Sequence, residues 1–150
     1  MNTDQKTRLG VPATVLKHSD LTDSVLGVFY RVYNQLGYGF LESVYEKALQ
    51  IALEEAGFSV DAQISIPVWY HGHQIGDFKA DLVVNRILLL ELKSARRLES
   101  AHEAQTLNYL NATEIELALL LNFGPRPEFR RLLFDNDRKK HREAAAGATE

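Results

Sequence analysis

Three charged residues, Asp81, Glu91 and Lys93, lie in stretches of the sequence that otherwise suit burial. Glu91 and Lys93 belong to ILLLELK, and Asp81 belongs to FKADLVV ten residues earlier. Because the side chains of a strand alternate, Glu91 and Lys93 project from the same face. An uncompensated buried charge costs several kcal/mol, so these residues need a partner, solvent or a bound ion. The simpler alternative is a strand that reaches the surface at Glu91, where the two charges form an ordinary exposed pair.

The residue types restrict which metal such a site could hold. The chain has no cysteine, so the possible ligands are carboxylate, carbonyl and imidazole groups, and oxygen ligands favour a hard cation. His71 and His73 have the spacing of a metal pair, but they lie in the turn-like segment HGHQIG without a clear third partner. We therefore interpret them as residues of an exposed loop. His102 lies about one helical turn before Gln105 and could line the same site, but we do not assign it a role there.

Whether Asp81 meets Glu91 depends on the connection around Asn85 and Arg86. A two-residue turn pairs position 82 with 89 and leaves Asp81 on the face opposite Glu91. A three-residue turn or a single bulge pairs position 81 with 89 and brings Asp81 diagonally beside Glu91. We predict a bulged or three-residue connection.

A further carboxylate, Glu42, lies in the stretch GFLESVY and has two interpretations. If Gly39 is the N-cap, Glu42 occupies the third helical position, where it can reach back to the cap amide and interact with the helix dipole. At about 100° per residue, however, Glu42 shares the face of Leu49 and Leu53, which should pack inward. That position favours a role in a site over a role as a cap alone.

Gln105 and Tyr109 are four residues apart in the segment that follows ILLLELK. On a helix they share one face, which could approach whatever lies beyond Lys93. They could equally be the polar edge of an amphipathic helix.

The predicted elements that position these residues alternate between helical and strand periodicity, which indicates an α/β fold with a mixed sheet flanked by helices in the order ααβββαβ. Pro67 suggests that the first strand lies near a sheet edge, and the apolar run ILLLELK suggests a central strand covered on both faces. The predicted helices cover about 20–36, 40–56 and 98–111; the predicted strands cover about 64–70, 75–84, 87–93 and 115–123; and residues 129–134 form a last strand or a short helix.

Composition and charge predict one domain over residues 19–135, with flexible ends at 1–18 and 136–150. The sequence has no apolar run long enough for a membrane span and no apolar leader, so we expect a cytoplasmic protein without a membrane partner. A net charge of -3 gives no overall attraction for nucleic acid, so a nucleic-acid partner would need a local basic patch. Candidate patches are Arg96 with Arg97, Arg126 with Arg130 and Arg131, and the tail from Arg138 to Arg142, although each could be a solvated surface.

Taken in order, helical Glu42, Asp81, the Glu91-Leu92-Lys93 triplet and Gln105-x-x-x-Tyr109 resemble the PD-(D/E)XK nuclease superfamily. GFLESVY is similar to the motif that names the GxxExxY protein family, through Gly39, Glu42 and Tyr45. The resemblance covers about residues 20–134. One departure is Ala80, which stands where the superfamily name has a proline.

The resemblance implies a restriction-endonuclease-like core and a metal-dependent nuclease. It makes Asp81, Glu91 and the main-chain carbonyl of Leu92 ligands of Mg²⁺ or Mn²⁺, with Glu42 as a third carboxylate. Lys93 would orient or deprotonate the attacking water, while Gln105 and Tyr109 would contact the site and the substrate backbone. We expect hydrolysis of phosphodiester bonds in DNA, by a homodimer or with a partner subunit. The main rival hypothesis is a nuclease fold without catalysis that binds nucleic acid or protein.

Overall fold

The computed structural model describes residues 18–139. Within that range the chain forms three α-helices, five strands and a final 3-10 turn. They are α1 (Ser19–Leu36), α2 (Glu42–Glu55), β1 (Val60–Tyr70), β2 (His73–Val84), β3 (Leu88–Lys93), α3 (Ser100–Asn111), β4 (Leu117–Phe123), β5 (Pro127–Leu133) and the 3-10 turn Asn136–Arg138. The predicted α/β class and order are confirmed, and the uncertain last element is a strand.

The five strands form one mixed sheet in the order β1-β2-β3-β4-β5. β3 and β4 are parallel, and every other neighbouring pair is antiparallel. β3 is the central strand, and every residue of Leu88–Leu92 is buried, as its apolar run predicted. β1 lies at one edge of the sheet and contains Pro67, as predicted.

Two apolar clusters cover the two faces of the sheet. On one face, α1 and α2 contribute Val25, Phe29, Tyr45 and Leu49, which pack with Leu90 and its neighbours. The other face is covered by α3, whose Leu110 packs with the cluster of Ile66, Ala80, Val83, Leu89 and Ala118. The helices therefore lie on both sides of the sheet, which explains why β3 and β4 are apolar on both faces.

Helix α2 begins at Glu42, two residues later than the sequence predicted. Its N-cap is Leu41, in an extended conformation with no side-chain cap hydrogen bond, and not Gly39. Glu42 is therefore the first helical residue and cannot make the capping contact expected at the third position. The expectation that it faces the core is also wrong, because Glu42 is exposed.

The connection between β2 and β3 contains three residues, as predicted. Asn85, Arg86 and Ile87 separate the paired positions Val84 and Leu88, and Asn85 and Arg86 both have positive φ values, of 53° and 58°. The predicted pairing of position 81 with 89 is wrong, because Leu82 pairs with Leu90. This register places Asp81 directly opposite Glu91 and not diagonally beside it.

The predicted ends of the domain fall largely on residues 1–17 and 140–150, which lie outside the described part of the chain. Residues 136–139, assigned above to the flexible tail, are instead held against the domain. The buried Lys139 donates from Nζ to the carbonyls of Thr113, at 2.9 Å, and Ile115, at 2.6 Å. Within residues 18–139, no helix is long and apolar enough to cross a membrane.

Candidate active site

Asp81 and Glu91 lie where the antiparallel ladder between β2 and β3 stops. The last paired residues are Leu82 and Leu90, and beyond them side chains take over the bonding. The backbone N–H of Asp81 donates to Oε2 of Glu91 at 3.3 Å, and the backbone N–H of Leu92 donates to Oδ2 of Asp81 at 2.8 Å. The two strands thus form a fork, and both carboxylates lie within it.

A local change of face in the β1–β2 hairpin positions Asp81 at this fork. Gln63, opposite Asp81 in the ladder, has a φ of 55° and makes no regular pair. On one side of this point Ala62 packs in the cluster under α1 and α2, whereas on the other side Ile64 packs in the cluster under α3. Since residues two apart on a regular strand share a face, the hairpin must twist at Gln63.

The local environment strongly disfavours a negative charge on Glu91. Its side chain is only 5% exposed. Burial raises the pKa of Glu91 to about 9, with further contributions from the charge of Asp81 and from a hydrogen bond between the two carboxyl groups, while Lys93 partly offsets the effect. Without a cation, one of two adjacent carboxylates must therefore hold a proton near neutral pH.

Lys93, Gln105 and Tyr109 join the carboxylates on the α3 side of the sheet. Lys93 donates from Nζ to Oε1 of Gln105 at 2.9 Å. Burial raises the pKa of the Tyr109 hydroxyl, and the charges of Glu91 and Asp81 raise it further. The ring of Tyr109 stacks on Phe78 with a centroid distance of 3.9 Å. The sequence left open whether this helical pair approaches Lys93 or forms a polar helix edge, and the structure brings Gln105 to Lys93.

The carboxylate of α2 that contacts Asp81 is Glu46, which sequence analysis missed. Burial raises the pKa of Glu46, and so do the charge of Asp81 and a hydrogen bond between these two side chains. Gln63 fixes Glu46 from the other side, donating from Nε2 to Oε1 at 2.7 Å. Glu42, one turn earlier, is exposed, and its side chain forms no hydrogen bond or ion pair with another residue of the described range. The structure therefore brings Asp81, Glu91 and Glu46 together but leaves Glu42 outside.

A second group that sequence analysis missed fixes the loop after β3, and its members are Asn122 and Glu128. The buried Asn122 accepts from the N–H of Ala95 and donates to its carbonyl, both at 2.9 Å. Nδ2 of Asn122 also donates to Glu128 at 3.1 Å, and Glu128 accepts from the N–H of Leu98 at 3.0 Å. These bonds set the path of the chain between Lys93 and α3, which carries Gln105 and Tyr109.

The three histidines considered in the sequence, His71, His73 and His102, do not take part in this arrangement. His71 and His73 are exposed at the β1–β2 turn, and the ring of His71 stacks on Tyr70. His102 accepts the backbone N–H of Glu99 at 3.0 Å and so caps the start of α3.

The residues at the fork fit a hard divalent cation. Among residues 18–139 there is no group of three or more His, Cys, Asp or Glu side chains arranged to hold a metal ion. However, Mg²⁺ is commonly bound through one or two carboxylates and keeps several waters. Asp81 and Glu91 supply two such groups, and a cation between them would remove the repulsion that raises the pKa of Glu91.

The mixed sheet between helices, with paired carboxylates at a fork beside its central strand, defines an α/β domain with a restriction-endonuclease-like core. The model of the PD-(D/E)XK nuclease superfamily matches residues 19–132, and the chain belongs to this superfamily. Its members generally use divalent metal ions. The crystal structure of SSO0001 is similar in fold, with a TM-score of 0.51 and 14% sequence identity over 99% of this chain and 82% of that chain. Comparison with curated proteins gives no match.

Proposed function

We propose that this protein is a metal-dependent nuclease that uses Mg²⁺ or Mn²⁺ to hydrolyse phosphodiester bonds in DNA. The observation that carries this proposal is the contact between Asp81 and Glu91 at the fork of β2 and β3, in a domain of the nuclease superfamily. Two carboxylates at this depth destabilise one another unless a cation or a proton compensates them. A divalent cation is the compensating group that also has a use in phosphodiester hydrolysis.

The proposed ligands are Asp81, Glu91 and the main-chain carbonyl of Leu92. A third carboxylate would come from α2, for which the GxxExxY resemblance indicates Glu42, whereas the contact with Asp81 supports Glu46. We also propose, on the basis of that resemblance, that the chain is a member of the GxxExxY family. The bound cation would polarise the phosphodiester and activate water for attack on phosphorus.

The remaining residues would orient the reactants. The ammonium of Lys93 projects from the same face as Glu91, where it would hold the attacking water and offset negative charge that develops on the phosphate. Gln105 fixes the Lys93 side chain through its 2.9 Å hydrogen bond. The hydroxyl of Tyr109, close to both carboxylates, would donate to the substrate backbone.

The test is a cleavage assay with Mg²⁺ or Mn²⁺ on single-stranded DNA, duplex DNA and RNA. Asp81→Asn and Lys93→Gln should abolish cleavage. Matched controls lie on β2, where Asp77→Asn and Lys79→Gln change the same residue types at exposed positions and should retain it. Cleavage that survives in Asp81→Asn and Lys93→Gln would show that the activity does not belong to this site.

The second candidate function is a catalytically silent nuclease fold that binds nucleic acid or protein, which the net charge of -3 favours. Specific DNA interfaces bury about 1,000–2,500 Å² of protein surface. We therefore propose that a second copy or a partner subunit enlarges the interface that this small domain forms with a duplex. A protein that binds an oligonucleotide but cleaves none of the three substrates would support the silent binding module.

A further inference from the structure

The loop between α1 and α2 is fixed from beneath by Tyr45. The buried Tyr45 hydroxyl donates to the carbonyl of Gly37 at 2.6 Å and accepts the N–H of Phe40 at 3.2 Å. Its ring stacks on Phe123 with a centroid distance of 4.3 Å. The loop also needs positive φ values at Gly37 and Gly39, of 68° and 114°, which glycine adopts readily. The conformation of this loop is therefore set by the core.

This fixed loop exposes three large apolar side chains together. Tyr38 is 63% exposed, Phe40 48% and Leu41 77%. Tyr38 and Phe40 line a cavity of about 290 Å³, whose opposite wall is formed by Ser94–Arg96 and by residues 123–125. Adjacent exposed apolar residues that are rigidly held commonly mark a binding surface.

The wall opposite the aromatic rings carries positive charge and follows the candidate active site in the chain. Ser94 follows Lys93 in the chain, and Arg96 also lines a neighbouring cavity of about 640 Å³ together with Arg97. Arg96 forms no ion pair within residues 18–139, and Arg97 approaches Glu99 only at 3.8 Å, at a highly exposed position. Both guanidinium groups are therefore available to a phosphate.

We propose that Tyr38, Phe40 and Arg96 bind unpaired nucleotides, so that the substrate of the site is single-stranded nucleic acid. The two rings would stack on bases, and Arg96 would pair with the phosphate between them. In a duplex the faces of the bases are covered by their neighbours, so exposed rings of this kind find a stacking partner only on an unpaired strand. The inference rests on the proposed function, because it takes the fork as the place where the bound strand is cut.

The test measures binding in EDTA, where metal-dependent cleavage cannot occur. Fluorescence anisotropy would follow labelled oligothymidylate and oligouridylate of about 20 nucleotides and a blunt duplex of equal length. Tyr38→Ala should weaken single-strand binding roughly 5- to 150-fold, since stacking on one aromatic ring contributes about 1–3 kcal/mol. Tyr38→Trp should restore it. Arg96→Gln should weaken binding and make its salt dependence shallower by about 0.7 in the logarithmic slope.

The matched control is Tyr70→Ala, which removes an equally exposed tyrosine, 59% exposed, from the β1–β2 turn. It should leave single-strand affinity within about twofold of the wild type. Duplex affinity should be unchanged by the substitutions at Tyr38 and Tyr70. The oligothymidylate and oligouridylate arms then distinguish a DNA strand from an RNA strand, and a preference for either supports the proposal.

Three results would overturn the subsite. They are wild-type binding to neither single strand, equal loss in Tyr38→Ala and Tyr70→Ala, and a Tyr38-dependent dimer that binds no oligonucleotide, which would make the loop a contact between copies. The outcome is separable from that of the proposed function. Binding that depends on Tyr38 without any cleavage would support the subsite and reject the nuclease. Cleavage at the fork with no dependence of binding on Tyr38 would support the nuclease and reject the subsite.

Discussion

Asp81 and Glu91 face one another across the opening between β2 and β3, and each accepts a backbone N–H from the other strand. Glu91 accepts from Asp81 at 3.3 Å, and Asp81 accepts from Leu92 at 2.8 Å. These contacts replace ladder hydrogen bonds, so the same side chains hold the strands and form the candidate site. Amide substitutions, which keep an acceptor oxygen, therefore separate charge from structure better than alanine does.

We expect Mn²⁺ to raise the melting temperature of the wild-type protein. A ligand that binds only the folded state contributes about 2.7 kcal/mol at a hundred times its Kd, which corresponds to roughly 5–10 °C for a chain of this size. Glu91→Gln should lose most of this rise, and Asp77→Asn should keep it. Differential scanning fluorimetry with and without Mn²⁺ measures the effect, and an equal rise in Glu91→Gln would exclude Glu91 as a ligand.

The raised pKa of Glu91 predicts that stability falls as pH rises in EDTA. The folded pKa of about 9 exceeds the unfolded value of 4.5, so between these values the native state holds a proton that the unfolded chain has released. The contribution is complete below about pH 4.5 and is lost as pH rises through the folded pKa. One proton changes the free energy of unfolding by at most about 1.36 kcal/mol per pH unit.

Glu91→Gln should remove this dependence, because the amide does not titrate. Urea unfolding at pH 6 and pH 8 should show a wild-type decrease of up to about 2.7 kcal/mol relative to the variant, and the variant should be the more stable protein at pH 8. All other titrating groups are common to the two proteins. Parallel stability profiles would mean that Glu91 ionises near its ordinary pKa in the folded state.

The loop after β3 gives a prediction about packing. A Cβ added at Gly124 would overlap the carbonyl oxygen of Ala95, the group that Asn122 binds. Gly124→Ala should therefore destabilise the domain by about 1–3 kcal/mol, the usual cost of overpacking, and increase hydrogen exchange over residues 94–99.

The matched control is Gly27→Ala in α1, where an added Cβ meets nothing within 4 Å. It should stabilise the protein by up to about 1 kcal/mol through helix propensity. Urea unfolding compares the two variants. A neutral effect of Gly124→Ala would mean that the loop can move away from β4.

Much of the fold could be predicted from the sequence because its strands obey a simple periodicity. Alternation placed Glu91 and Lys93 on one face, the apolar run ILLLELK predicted the central strand, and the need to bring Asp81 to Glu91 predicted the three-residue connection. The twist at Gln63 could not be predicted, because a positive φ at a residue other than glycine or asparagine has no local signal.

The site was less predictable than the fold because helix periodicity does not separate neighbouring turns. Glu42 and Glu46 are four residues apart and hence only about 40° apart around the helix axis, so the pattern gave no means of choosing Glu46. That choice depends on where α2 begins and on how it crosses the sheet. Asn122 and Glu128 could not be predicted for another reason. Each occupies an ordinary strand position, and each hydrogen-bonds the backbone of a loop that is distant in sequence.

The two glutamates of α2 offer the final prediction, which decides between the family resemblance and the observed contacts. Glu46 interacts with Asp81 and accepts from Gln63, whereas Glu42 is exposed at the start of the helix. Glu46→Gln should weaken Mn²⁺ binding by about 10- to 100-fold, in the range found for groups that support metal ligands, because it removes negative charge beside Asp81. Glu42→Gln should change the affinity for Mn²⁺ less than twofold.

Isothermal titration with Mn²⁺ compares these variants with Glu54→Gln, which changes an exposed glutamate at the far end of α2. A large loss in Glu42→Gln with none in Glu46→Gln would instead mean that Glu42 turns into the fork when the cation binds.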